Sequence, residues 1–145
     1  MRRRAPHRPL ALTLAVAAPA ALALAGCSEA KPQQAWELTY EVTVVGASSP
    51  RMQGVSYMHS QEPGKKPVRV DAGTVQTTPD AHAPGTGQWS TKESVTDGEL
   101  AEVVATGEVD GTASCRIVLS DGKVLATATS EVGKTVTCSA KTPVR

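Results

Sequence analysis

Trp36, Leu38, Tyr40, Val42 and Val44 alternate with Glu37, Thr39, Glu41 and Thr43, an unbroken period of two over nine residues. Successive side chains of an extended chain point to opposite faces, so this stretch predicts a strand with one buried and one wet face. Composition carries the constraint to the rest of the chain. From Cys27 onward there are 16 Val and 15 Thr but 4 Leu and 1 Ile, and the whole chain lacks Phe and Asn. Val and Thr suit pleated, half-buried surfaces, and so few Leu leave little for an amphipathic helix to bury. The fold class these features predict is all-β.

The start of the chain has a different character. Arg2, Arg3 and Arg4 precede an apolar run over 10–25 that ends at Leu24-Ala25-Gly26-Cys27. A helix needs roughly 20 apolar residues to cross a bilayer core; this run is shorter and contains Pro19, so it reads as an export signal rather than a retained span. Small residues before Cys27 give a peptidase access to the backbone, and the thiol is available for acylation, as in a bacterial lipobox. The expected organisation is a signal peptide over 1–26, a lipidated Cys27 with a short tether over 27–35, and one domain over 36–145. A diacylglycerol on Cys27 would hold the chain to the extracytoplasmic face of the cell membrane, each buried CH₂ contributing about 0.8 kcal/mol. Removal of the signal leaves 119 residues, with 11 Lys and Arg against 14 Asp and Glu. That acidic balance argues against a nucleic-acid partner.

Further strands are predicted over 54–59, 88–96 and 100–109. The clearest is a hairpin: Ser114-Cys115-Arg116-Ile117-Val118-Leu119-Ser120, then Asp121-Gly122, then Lys123-Val124-Leu125-Ala126-Thr127-Ala128-Thr129. Asp-Gly suits a two-residue type I′ turn, which would set Leu119 against Val124, Ile117 against Ala126 and Cys115 against Ala128 on one apolar face. Val136 and Cys138 mark a last strand. With Cys27 acylated, Cys115 and Cys138 are left to pair in an oxidising compartment. Two strands apart in one flat sheet they would be separated by about 9.6 Å, beyond disulfide range. The last strand is therefore expected beside the Cys115 strand or facing it across the core. Either suits an Ig-like β-sandwich of about seven antiparallel strands, with an open barrel as the alternative. Residues 61–87 hold eight Gly and Pro and are expected to be a long connection, a binding element or disordered, with one short edge strand at 68–70.

A search for chemistry yields no catalytic constellation. Ser120-Asp-Gly-Lys123 matches a Ser-x-x-Lys pattern but spans a tight turn instead of opening a helix. His59 and His82 stand singly in turn-rich sequence and are expected to be solvated, and Glu99 and Glu102 read as a solvated edge. Two cysteines with distant histidines lack a compact zinc spacing. No enzyme activity, metal or cofactor is expected. Trp36 opens an apolar face and is expected in the core; Trp89, beside Gln88 and Ser90, is the candidate for partner contact.

Leu38-Thr-Tyr-Glu-Val42, Val55-Ser-Tyr57, Gln88-Trp-Ser-Thr-Lys92, Cys115-Arg-Ile-Val-Leu-Ser-Asp-Gly-Lys-Val124 and Val136-Thr-Cys138 resemble, in that order, the MmpS family of small membrane proteins. The resemblance implies an extracytoplasmic β-sandwich with a disulfide, serving as accessory subunit to MmpL-type transporters of the RND superfamily, which export lipids, siderophores or drugs. Here it takes a lipoprotein form, since typical members keep an uncleaved transmembrane helix. Trp89 matches the family's aromatic position, and Cys115 and Cys138 its disulfide. The alternatives are a stand-alone surface lipoprotein binding an apolar ligand or envelope polymer, and a purely structural surface protein.

Overall fold

The computed structural model describes residues 33–48 and 51–145. The predicted signal over 1–26, the lipidation residue Cys27 and the tether up to residue 32 lie outside these residues. Those described fold into nine strands: β1 (Ala35–Val45), β2 (Arg51–His59), β3 (Val68–Gln76), β4 (Thr78–Pro79), β5 (Gly87–Thr96), β6 (Leu100–Thr106), β7 (Thr112–Leu119), β8 (Val124–Thr129) and β9 (Thr135–Lys141). They form two sheets, β4-β5-β1-β7-β8 and β3-β2-β6-β9, with every pairing antiparallel.

The alternation that opens the domain builds its centre. β1 pairs with β5 on one side and β7 on the other. Its apolar set Leu38, Tyr40, Val42 and Val44 is 0–2 % exposed. Ala113, Cys115, Ile117 and Leu119 of β7 share that face, and Met52, Val55, Ala101, Val103, Ala105, Val136 and Cys138 cover it from the other sheet. The arrangement is sandwich-like: two sheets are held together by apolar side chains withdrawn from water between them. Trp36, expected in the core, is partly buried and packs against its rim.

Cys115 and Cys138 are bonded, with Cα atoms 5.9 Å apart. Because β7 and β9 belong to different sheets, the bridge crosses the core. At the opposite end of β7, hydroxyls tie the sheets. The Thr96 amide donates to Ser60 Oγ (3.0 Å), Thr96 Oγ1 donates to Lys65 O (2.7 Å) and accepts from Gly64 N (3.1 Å), and Thr142 Oγ1 donates to Thr96 O (2.8 Å). Ser60, Thr96 and Thr142 are buried, and these bonds satisfy polar groups that would otherwise be stranded.

Four local expectations differ from the structure. The β7–β8 hairpin keeps the registers Cys115↔Ala128 and Ile117↔Ala126, but Val118 pairs with Val124, so an extra residue is accommodated near Leu125. The turn is also of another kind. Gly122 alone has positive φ (87°), its amide donates to Leu119 O (2.8 Å), and Leu119 N donates to Lys123 O (2.9 Å). That is a type I turn followed by a glycine bulge, a three-residue loop, in which Asp121 Oδ1 accepts from Lys123 N and avoids the left-handed region.

The connection over 61–87 contains a nine-residue edge strand, β3, as well as β4. Gly73 (φ 64°) sits where the β2–β3 register shifts, so a residue that reads as a breaker serves as a bulge. The segment expected over 100–109 ends at Thr106, leaving Val109 87 % exposed in the following loop.

Candidate functional site

The β1–β5 register sets Val42 against Trp89, Tyr40 against Thr91 and Leu38 against Glu93. Directly opposed residues share a face, so Trp89, Thr91 and Glu93 turn toward the interior beside the apolar face of β1. From the facing sheet β2 supplies Tyr57 and His59. The ring centroids of Tyr40 and Tyr57 are 5.8 Å apart and those of Tyr57 and Trp89 6.0 Å, both pairs tilted. An aromatic row thus runs outward from the core to Trp89, which ends it half-buried.

Beside the row lies a polar pair. His59 Nδ1 is 2.8 Å from Glu93 Oε2, with the two side chains 33 % and 12 % exposed. The contact is close, and Nδ1 makes no aligned hydrogen bond. Thr91 Oγ1 donates to Glu93 Oε1 at 2.8 Å. Tyr40 Oη donates to Met58 O at 2.8 Å, and burial raises its pKa far above the ordinary phenol value. Tyr57 is raised as well, by desolvation first and then by the Glu93 charge. Both phenols therefore hold their protons more tightly than a free phenol.

The outer face of the five-stranded sheet has a different chemistry. One open concavity of about 660 Å³ lies over Glu41, Thr43, Ser90, Ser114 and Arg116, with Gln76 and Thr78 on one flank and Thr127 of β8 on the other. In its floor Arg116 Nε donates to Glu41 Oε2 (2.8 Å) and Nη2 lies 2.6 Å from the same oxygen. A second concavity of about 480 Å³ lies over Glu37, Thr39, Lys92, Ser94 and Ser120. Hydroxyls, amides and an internally neutralised charge pair line the first, which suits polar, uncharged matter better than an apolar ligand.

At the start of β1, Arg145 closes over Trp36. Its guanidinium carbon is 4.1 Å from the ring centroid, and it reaches Asp97 Oδ1 (3.0 Å), Asp97 Oδ2 (3.2 Å) and Ala35 O (2.6 Å), while Trp36 Nε1 donates to Pro143 O (2.9 Å). This clamp fixes the point at which the chain enters the sheet.

The structure thus brings Trp89 together with Tyr57 and places His59 and Glu93 beside them. His59, expected to be solvated, is drawn to Glu93 because both lie on inward positions of facing strands. His82 remains exposed, its amide capped by Asp80 Oδ1 (2.8 Å). Glu102, expected as a solvated edge, pairs with Arg69 across the outer face of the smaller sheet. Cys27 lies outside the described residues. Glu93 and the Arg116–Glu41 pair were missed in the sequence: only the strand registers bring these partners together. Among the described residues no group of three or more His, Cys, Asp or Glu is arranged to hold a metal ion. No family model, curated protein or solved structure matches the chain.

Proposed function

We propose that the chain is a lipid-anchored, extracytoplasmic, non-catalytic accessory subunit of an MmpL-type RND transporter, assisting export of lipids, siderophores or other small molecules. Its sandwich would be of the immunoglobulin-like type, held to the membrane through a diacylglycerol on Cys27. The observation that carries this reading is the placement of the segment most like the MmpS family. The Cys115-Arg-Ile strand and Cys138 carry the disulfide that joins the two sheets, and the Asp-Gly-Lys-Val hairpin extends the larger of them. The filled interior supports a rigid docking body in preference to a container for cargo, and the half-buried Trp89 at the end of its aromatic row is the proposed contact.

The test is a mild in-cell crosslink, capture of the lipoprotein and mass identification of its partners. An RND-type transporter enriched over a Trp89→Ala control supports the reading and its contact site. Equal capture by both forms keeps the role and refutes Trp89 as the contact. No transporter, under conditions that recover other membrane partners, overturns the proposal.

A second reading has an observation of its own. The polar concavity over Glu41 and Arg116 favours a surface lipoprotein that binds a neutral envelope polymer. Retention on isolated cell-wall polysaccharide, lost on Ser90→Trp substitution, would favour it.

A further inference from the structure

We infer that β8 is a self-association edge, through which two copies of this chain pair antiparallel and join their larger sheets into one. The argument begins with backbone groups. Ser130 N donates to Ala113 O (2.8 Å), and Cys115↔Ala128 and Ile117↔Ala126 continue that register, so Ala126, Ala128 and Ser130 direct their amides and carbonyls at β7. By the alternation of a strand, Thr127 and Thr129 direct theirs away. β8 ends the order of the five-stranded sheet, and both threonines are exposed. Unpaired groups of this kind are a template for another strand.

The other sheet edges carry devices that discourage pairing. β3 carries the charges of Arg69 and Asp71; β4 is two residues long and ends in Pro79. β8 from Val124 to Thr129 has no charge and no proline. Its flanks decide what occupant fits. An antiparallel pair centred on Thr127 sets Thr127 against Thr127, Leu125 against Thr129 and Ala126 against Ala128 of the second copy, small or uncharged at every position. The same register brings exposed Lys123 of each copy beside exposed Glu131 of the other, twice over. β9, also an edge, lacks such a match: Lys134 precedes it and Lys141 ends it, so self-pairing would bring like charges near each other at both ends. Complementarity to itself therefore belongs to β8. Since Thr127 flanks the larger outer concavity, the pair would set two such concavities side by side on a common face.

The full chain is tested in its membranes, and the outcome is independent of the transport reading. Thr127→Cys should give a disulfide-linked dimer on a non-reducing gel, at least about tenfold above Thr137→Cys, an exposed control on β9. Thr127→Lys keeps the native cysteines and points a charge at its own symmetry mate. Its self-association in detergent, read by sedimentation, should weaken at least about tenfold with the tryptophan emission unchanged. Lys123→Glu should weaken it roughly fivefold, and Lys123→Glu with Glu131→Lys should restore it. Equal crosslinking at Thr127 and Thr137, a Thr127→Lys protein that associates as before, or a Thr127→Cys crosslink only to another protein overturns the inference.

Discussion

Opening the Cys115–Cys138 bridge removes a constraint from the unfolded chain, and its size follows from the sequence separation of 23 residues. The chain-entropy relation gives about 3.4 kcal/mol at about 25 °C for a loop of that length. A domain of this size has roughly 5–15 kcal/mol in total, so the loss is a quarter to well over half of its stability. The cleanest comparison is urea unfolding of the oxidised protein against protein refolded and unfolded in excess reductant, followed by the emission of Trp36 and Trp89. Reduction retains both sulfur atoms, so the packing of the two buried side chains changes little and the difference reports the crosslink. With m of about 1–3 kcal/mol/M, the midpoint should fall by roughly 1–3 M. Cys115→Ala with Cys138→Ala should lose at least as much, since it also removes buried atoms. A difference below about 1 kcal/mol would falsify the reasoning, because it would mean that the unfolded chain already holds β7 and β9 together without the bond.

Other perturbations probe separate parts of the fold. The Tyr40 pKa is raised above its ordinary 10.0, so its contribution is complete below that value and is lost as pH rises beyond it. Stability should fall by up to about 1.4 kcal/mol per pH unit in that range, and Tyr40→Phe should flatten the fall while costing about 1 kcal/mol at neutral pH through the lost bond to Met58 O. Thr96→Val keeps the shape but strands the Gly64 amide and Lys65 carbonyl; about 1–3 kcal/mol should be lost in urea unfolding, with faster hydrogen exchange at Gly64. Gly133→Ala should destabilise by about 2 kcal/mol or more in thermal unfolding, because φ is +69° and the new Cβ would lie 2.8 Å from Val109 O. Arg145→Ala should shift Trp36 emission to the red and leave Trp89 unchanged, since it uncovers only the ring under the guanidinium.

Much of the architecture was legible because central strands obey one rule. β1 and β7 are paired on both sides, each with its inner face against the other sheet, and so their alternation survives undisturbed into the structure. That is why the facing of Cys115 and Ala128 could be counted from the sequence and why Cys138 could be limited to a few positions. The failures fall at the periphery. Asp121-Gly122 is compatible with a type I′ turn and with a type I turn plus bulge, and the dipeptide does not distinguish them; the extra residue near Leu125 does. β3 was hidden because Arg69, Asp71 and Gly73 weaken an alternation that an edge strand does not need on both faces.

The candidate site was less legible for a related reason. Assigning an apolar interior to every strand works where the facing layer is apolar, and β5 is only half under such a layer. Its inward residues run Trp89, Thr91, Glu93 and Val95, and only Val95 is fully buried. The carboxylate is tolerated there because β2 presents a histidine and a phenol at the matching positions, 34 residues away in the chain from Glu93 in the case of His59. Neither strand alone signals the pair, since a lone inward acid and a lone strand-end histidine each read as noise. The same separation governs Arg116 and Glu41, whose contact depends on the β1–β7 register. Central strands thus carry the stability that a sequence reveals, while flanking strands carry polar groups whose meaning arises only from the pairing of distant segments. A substitution scan should therefore divide along this line: changes at Val42, Val103 and Ile117 should reduce the amount of folded protein, whereas changes at Thr127, Lys123 and Trp89 should alter what the folded protein associates with.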